Sequence, residues 1–424
     1  PVPSDMDGAA KAEKTGAAVA FAGDFNGDGY GDYVIGSPGY SVPAAPPVKA
    51  KVDAGKAEVI SGKDGSILAS ITGAVAKDAM GFAVAGNADV DNDGFADVVV
   101  GAPNVTVLHV GSVTVLYGGS GNRRHTFWGA MKNTSFGSAV ALGDVDGDGH
   151  ADVIIGAPKD NSPVPSQKVA GSVTVYDGNT LQSSKRFYGQ SRNAHAGTAV
   201  ATGDVDGDGT ADIIVGAPDE NGVGSVRVYN HSGTELLQKL GTNKKAQFGK
   251  AVASADINHD GYADIVVGAP LDDDFASNKK DTGSATVFSG INGAQLAKKY
   301  GSNAKVQLGY SVAAGDVNGD NKADIIAGAW RDNKPTANPK KPIKMAGSVS
   351  VFSGDDYAQI GTTKYGDAAN DYFSAAVGAG DINSDGKADV IIGVPSFDLP
   401  IIVNGKTKLQ KDAGKVTVIN GSAL

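Results

Sequence analysis

The stretch GDVDGDGHADVIIGAP, residues 143–158, sets a dense acidic cluster directly against an apolar run. Carboxylates this close repel one another, so the arrangement is stable only where a counter-charge cancels them. A bound cation is the candidate. The apolar half is too short and too β-branched for a helix and reads as a buried strand.

The stretch recurs, and internal repetition decides architecture before local structure does. Counted from the first Asp of each acidic loop, the copies are DFNGDGYGD (24–32), DVDNDGFAD (89–97), DVDGDGHAD (144–152), DVDGDGTAD (204–212), DINHDGYAD (256–264), DVNGDNKAD (316–324) and DINSDGKAD (381–389). There are seven units of about 60 residues each. Every unit offers four strand-like pieces. In the third unit these are the Ala-rich FGSAVALGD (136–144), ADVIIGAP (151–158), GSVTVYDG (171–178) and KRFYG (185–189).

Four antiparallel strands cannot bury both faces alone, so the units must stack or close into a ring. Seven such units predict an all-β fold, a seven-bladed β-propeller of four-stranded antiparallel blades with the small-residue strand innermost. A linear solenoid would use shorter repeats. The blades are expected near 14–73, 74–129, 130–189, 190–241, 242–301, 302–366 and 367–424. The fourth strand with its terminal Gly occurs six times, ending at Gly73, Gly129, Gly189, Gly241, Gly301 and Gly366. Residues 1–13, PVPSDMDGAAKAE, are therefore the candidate to complete the last blade, although they make a poor strand sequence.

Within each loop, side-chain oxygens fall at positions 1, 3, 5 and 9. A hard cation such as Ca²⁺ takes six to eight oxygen ligands, which alternate residues of a tightly curled loop supply, with position 7 adding its backbone carbonyl. The candidate ligands are Asp24, Asn26, Asp28, Tyr30 and Asp32; Asp89, Asp91, Asp93, Phe95 and Asp97; Asp144, Asp146, Asp148, His150 and Asp152; and Asp204, Asp206, Asp208, Thr210 and Asp212. The last three loops supply Asp256, Asn258, Asp260, Tyr262 and Asp264; Asp316, Asn318, Asp320, Lys322 and Asp324; and Asp381, Asn383, Asp385, Lys387 and Asp389. The loop matches an EF-hand only in its first half, because a strand follows position 9 where an EF-hand continues to Glu and a helix. Asp-Gly clusters are ordinary turn formers. Seven in fixed register are not explained that way.

Composition is consistent with this. The ligand positions hold 24 of the 47 acidic residues, and seven divalent ions would move the formal charge from −10 to about +4. The acidity argues against nucleic acid as a partner. No Cys is present, which excludes disulfides and thiolate sites. No apolar run approaches membrane length, and the sequence opens on Pro without a signal peptide, as a trimmed secreted chain would.

With its acidic loops, an FG pair at Phe136-Gly137 and Phe248-Gly249, and GAP at 101–103, 156–158, 216–218 and 268–270, the chain resembles the FG-GAP repeats of integrin α-subunit propellers. Altered pairs stand at Gly81-Phe82, Leu308-Gly309 and Phe373-Ser374, and GSP, GAW or GVP replace GAP in the other units. The resemblance implies calcium in the loops joining first and second strands, up to one ion per blade, and an extracellular or cell-surface binding role. Without Cys or any integrin leg, the chain looks like a free-standing microbial relative, expected to be monomeric. The integrin heterodimer partner is not carried over.

Strand alternation puts the acidic loops on one rim and the variable connections on the other, where recognition is usually found. The sixth unit carries the long connection RDNKPTANPKKPIKMA after Trp330, and Trp330, Arg331, Lys334, Lys340, Lys341 and Lys344 are its candidate ligand-binding residues, with the Trp expected to be exposed. A protein or glycan ligand is expected. A lectin-like propeller or a lyase-like polysaccharide enzyme is the alternative. Trp128 and Trp330 occupy different parts of their units, which disfavours repeated sugar sites. His109, His125, His150, His195, His231 and His259 show no metal-ligand spacing, and His150 and His259 are expected to face solvent.

Overall fold

Each repeat folds as one antiparallel sheet of four strands, in a computed structural model that describes residues 5–44, 49–104, 110–119, 123–403 and 406–424. Blade 3 shows the plan: Ala139–Gly143, Asp152–Ala157, Ser172–Tyr176 and Ser183–Tyr188 lie in sequence order, with Val140 opposite Ile155 and Ile155 opposite Thr174. Seven such sheets give a seven-bladed β-propeller. The first strands are Ala18–Gly23, Ala83–Ala88, Ala139–Gly143, Ala199–Gly203, Ala251–Ala255, Leu308–Gly315 and Ala376–Gly380. All seven second strands are buried along their whole length, which is why they read as unbroken apolar runs and not as alternation.

The core is a set of layers between blades. Val113, Val115 and Phe127 of blade 2 pack with Val140, Val153 and Ile155 of blade 3, and the ring is closed by Val19, Tyr33 and Ile35 of blade 1 against Ile382, Ile391 and Val416 of blade 7. No blade buries its own faces.

The FG and GAP glycines mark the same junction from two sides. The N–H of Gly137 donates to the carbonyl of Gly156 in its own blade at 3.0 Å, with Gly137 at φ +86°, a conformation open to glycine. The next blade then lays its FG carbonyl on that GAP glycine: a Cβ built on Gly156 would overlap the carbonyl oxygen of Gly197, and one on Gly393 would overlap that of Gly16. In blade 2 this register is held by Met80-Gly81, with Met80 bridging Gly55 as Phe248 bridges Gly224. The altered pair of this blade is therefore Met80-Gly81 and not Gly81-Phe82, and Phe82 is left 47% exposed at the mouth of the central channel.

Blade 7 takes its fourth strand from the other end of the chain. Met6–Asp7 pairs with Val416 and Lys415 of the strand Lys415–Ile419. Gly8 then donates to the Gly414 carbonyl at 2.8 Å, as Gly73 does to Gly55 at 3.0 Å, so Gly8 is the seventh terminal glycine. Residues 1–4 of this segment, 45–48 and 105–109 of the first and second variable connections with His109, lie outside the described residues. Among the described residues the helices are two short 3₁₀ segments, Glu220–Gly222 and Gly421–Ala423, and no helix is long and apolar enough to cross a membrane.

Candidate metal centres and the opposite rim

All seven acidic loops join first to second strands and so share one rim. The curl is drawn by their own carboxylates. In blade 3, Asp144 accepts the N–H groups of Gly147 at 2.7 Å and Gly149 at 3.0 Å, Asp146 that of Asp148 at 3.2 Å, and Asp148 that of His150 at 2.9 Å. Position 6 is left-handed in every loop, which favours Gly: its φ lies between +82° and +90° in the six loops that carry it, and Asn321 takes +65° in the seventh.

Position 9 is the anchor. Asp152 is buried, accepts the Val145 N–H at 3.0 Å and accepts the Gly178 N–H from the end of the third strand at 2.9 Å. Asp32, Asp97, Asp264, Asp324 and Asp389 repeat both contacts in their own blades. Blade 4 has His231 in place of that glycine, so Asp212 keeps its bond from Val205 but its Oδ1 is buried without a donor. Burial pushes the carboxyls of Asp97 and Asp152 up to about 7, against the pull of two backbone N–H groups and helped by neighbouring aspartates. Asp32, Asp212, Asp264, Asp324 and Asp389 are pushed up to about 6 by the same cause.

In blades 2, 3 and 4 the carboxylate oxygens of positions 1, 3 and 9 converge within 4.8 Å: Asp89, Asp91 and Asp97; Asp144, Asp146 and Asp152; Asp204, Asp206 and Asp212. The other four loops present Asn26, Asn258, Asn318 or Asn383 at position 3, leaving one carboxylate fewer. Converging hard oxygens, with an orphaned buried one at Asp212, fit a hard divalent cation. The His150 side chain reaches the preceding blade: its ring Nδ1 lies 3.0 Å from the Val90 carbonyl, so it is half-buried and does not simply face solvent.

On the opposite rim, a cavity of ≈ 430 Å³ opens between blades 5 and 6, lined by Asp281, Lys305, Gln307, Arg331, Asn333 and Met345. Trp330 is not exposed as its sequence context suggested. It is half-buried, stacked on Tyr310 at 4.3 Å between centroids and flanked by Tyr372 at 4.9 Å, with its Nε1–H donating to Gln307 at 2.6 Å. Lys334 pairs with Asp367 at 3.0 Å, while Lys340, Lys341 and Lys344 are exposed and away from this cavity's lining. A second opening, of ≈ 270 Å³, is the channel mouth, where the starts of all seven first strands meet; Lys250 is its one charged lining residue among those described. Burial holds the Lys250 ammonium below its usual range, against the pull of Asp219.

Sequence reading missed a second repeated feature. Four residues beyond the glycine of GAP, units 3 to 6 carry Asp160, Glu220, Asp272 and Asp332, all buried. Their spacing was as legible as that of the loops, but each is a single acid whose partners lie on other strands.

The FG-GAP repeat family matches residues 136–176, 196–229, 248–288, 308–352 and 373–419, and the FG-GAP-like repeat matches 89–155. Integrin alpha-V of Gallus gallus is 32% identical over 234 residues, 50% of this chain and 22% of that protein. Phosphatidylinositol-glycan-specific phospholipase D of Homo sapiens is 25% identical over 382 residues, 79% of this chain and 45% of the phospholipase. The chain thus spans less than half the length of either relative. Among solved structures, that of BBS1N in complex with ARL6DN aligns over 99% of this chain and 98% of its own, with a TM-score of 0.55 and 11% identity, a likeness of fold alone.

Proposed function

Because this chain belongs to the FG-GAP repeat proteins and folds as an integrin alpha-like β-propeller, we propose that it is a calcium-stabilised extracellular adhesion module that recognises a protein or glycan through the rim opposite its acidic loops. The observation that carries this reading is the division of labour between the rims. One holds seven near-identical oxygen-rich loops. The other holds connections that differ in length and a cavity with Arg331, Lys305 and Asp281 set beside the Trp330 stack.

In this reading Ca²⁺, up to one per blade, is held by side chains at positions 1, 3, 5 and 9, and it supplies the positive charge that lets clustered carboxylates stay ionised. The chain's own part is to curl each loop around that point and, in all blades but the fourth, to tie position 9 to the third strand. A binding role suits the channel mouth better than catalysis does: beside Lys250 and Tyr310 its lining is mainly Ala and Val, with no paired acid and base among the described residues.

The test is an array of extracellular proteins and glycans probed with and without calcium, repeated with Arg331→Ala combined with Lys305→Ala. Capture of a ligand by the wild type and its loss in the variant, at unchanged thermal midpoint, is expected. Equal capture by the variant would overturn the assignment of the rim.

A further inference from the structure

The four buried acids beyond GAP share one Ser contact, and one of them lacks a paired cation. Asp160, Glu220, Asp272 and Asp332 each accept a hydroxyl from the third strand, from Ser172, Ser225, Ser284 and Ser348 respectively. Three also hold a cation supplied by their own blade: Arg186 on Asp160, Arg227 on Glu220 at 2.9 Å and Lys298 on Asp272 at 2.8 Å. Arg186 and Lys298 stand on the fourth strand, opposite Thr174 and Thr286.

Blade 6 lacks the cation. Thr363 occupies its place, bonded to Ser350 at 3.0 Å, and among the described residues no Lys or Arg pairs with Asp332. Blade 2 makes the same substitution, with Thr126 bonded to Thr114 at 3.0 Å, but its sequence has Val105 and no acid there, at a position outside the described residues. Blade 6 alone keeps the acid and omits the counter-charge. A buried carboxylate without a cation is costly, and the penalty is relieved by supplying one.

The space matches. In blade 3 the groove beside the fourth strand is lined by Arg186, which covers Asp160. In blade 6 the corresponding groove is a cavity of ≈ 140 Å³ whose wall includes Asp332 itself, 4% exposed, with Ser348, Ser350, Thr363, Phe352 and Tyr365. The aromatic faces and the hydroxyls suit an organic cation better than a bare metal ion. Lys299, over the Phe352 ring at 5.6 Å, makes no ion pair with Asp332.

We propose that the blade 6 cavity is a binding site for a free small organic cation, a guanidinium or primary ammonium, that takes the position filled by Arg186 in blade 3. This holds whether or not the opposite rim binds a ligand.

Calorimetric titration of the calcium-loaded protein with methylguanidinium and n-butylammonium chloride, at constant ionic strength, tests it. Saturable 1:1 binding is expected, with N-methylurea, the neutral isostere, and KCl giving none. Asp332→Asn should weaken binding at least about tenfold, and Thr363→Arg, which restores the blade 3 arrangement, should abolish it while raising the thermal midpoint. Absence of saturable binding to the wild type, equal binding by both variants, or equal binding of K⁺ would overturn the proposal.

Discussion

The backbone N–H of Ala151 donates to the carbonyl of Asp89 at 2.8 Å, tying position 8 of the blade 3 loop to position 1 of the blade 2 loop. The same link runs from Ala96 to Asp24, Ala211 to Asp144, Ala263 to Asp204, Ala323 to Asp256 and Ala388 to Asp316. At the remaining junction, Ser384 donates its hydroxyl to the Gly29 carbonyl at 2.6 Å. The residue proposed to hold metal in one blade is thus the acceptor that holds the next.

Loss of metal should therefore be felt by the whole ring. EDTA is expected to lower the thermal midpoint substantially, and calcium to restore it. Asp144→Ala should remove about one metal per chain by elemental analysis. An unchanged melting curve, or full stoichiometry in the variant, would count against structural calcium.

The position 9 carboxyls give the metal-free protein an unusual pH response. Their native values, about 6 to 7, lie above the ordinary 3.8, so between these limits the native state binds more protons than the unfolded chain. Stability in EDTA should then fall as pH rises from 4 to 7, the cost of the ionised buried carboxyls being complete above about 7. Saturating calcium, which favours the ionised form, should remove or reverse that trend. Denaturant midpoints in EDTA that climb between pH 5 and 7.5 would contradict it.

The junction of GAP with FG leaves no room for a methyl group. Gly216→Ala would drive a Cβ into the carbonyl oxygen of Gly249 in the next blade. A loss of about 1–3 kcal/mol is expected from urea unfolding. A loss near zero would mean that the blades do not meet as closely as described.

Deleting residues 1–8 should unpair the edge of blade 7, since Met6–Asp7 and Gly8 supply its fourth strand and Asp5 pairs with Lys415 at 2.8 Å. A lower thermal midpoint and faster amide exchange in the strand Lys415–Ile419 are expected. Unchanged exchange there would show the closure to be dispensable.

Removing the cation from a complete blade should hurt more than any surface change. Arg227→Leu leaves Glu220 buried without its guanidinium, at a cost of about 3–5 kcal/mol. Retention of wild-type stability in chemical denaturation would mean that Glu220 is protonated or solvated in the native state.

Periodicity made most of this legible. Seven copies of one loop, each followed by a β-branched run, determined the number of blades and the antiparallel order, because strand and loop signals are read within about ten residues; of the oxygens expected at positions 1, 3, 5 and 9, those of 1, 3 and 9 converge in blades 2, 3 and 4. Only the tertiary structure decided the rest. That Gly81 pairs with Met80 and leaves Phe82 at the channel, that Trp330 lies stacked between two tyrosines, that Asp212 lost its donor to His231, and that within the expected closing segment 1–13 it is Met6–Asp7 that pair, with a blade whose other strands begin 370 residues later, are matters of which surfaces meet on ring closure. Such contacts join segments distant in sequence, and their geometry is fixed by packing between blades rather than by any pattern within one.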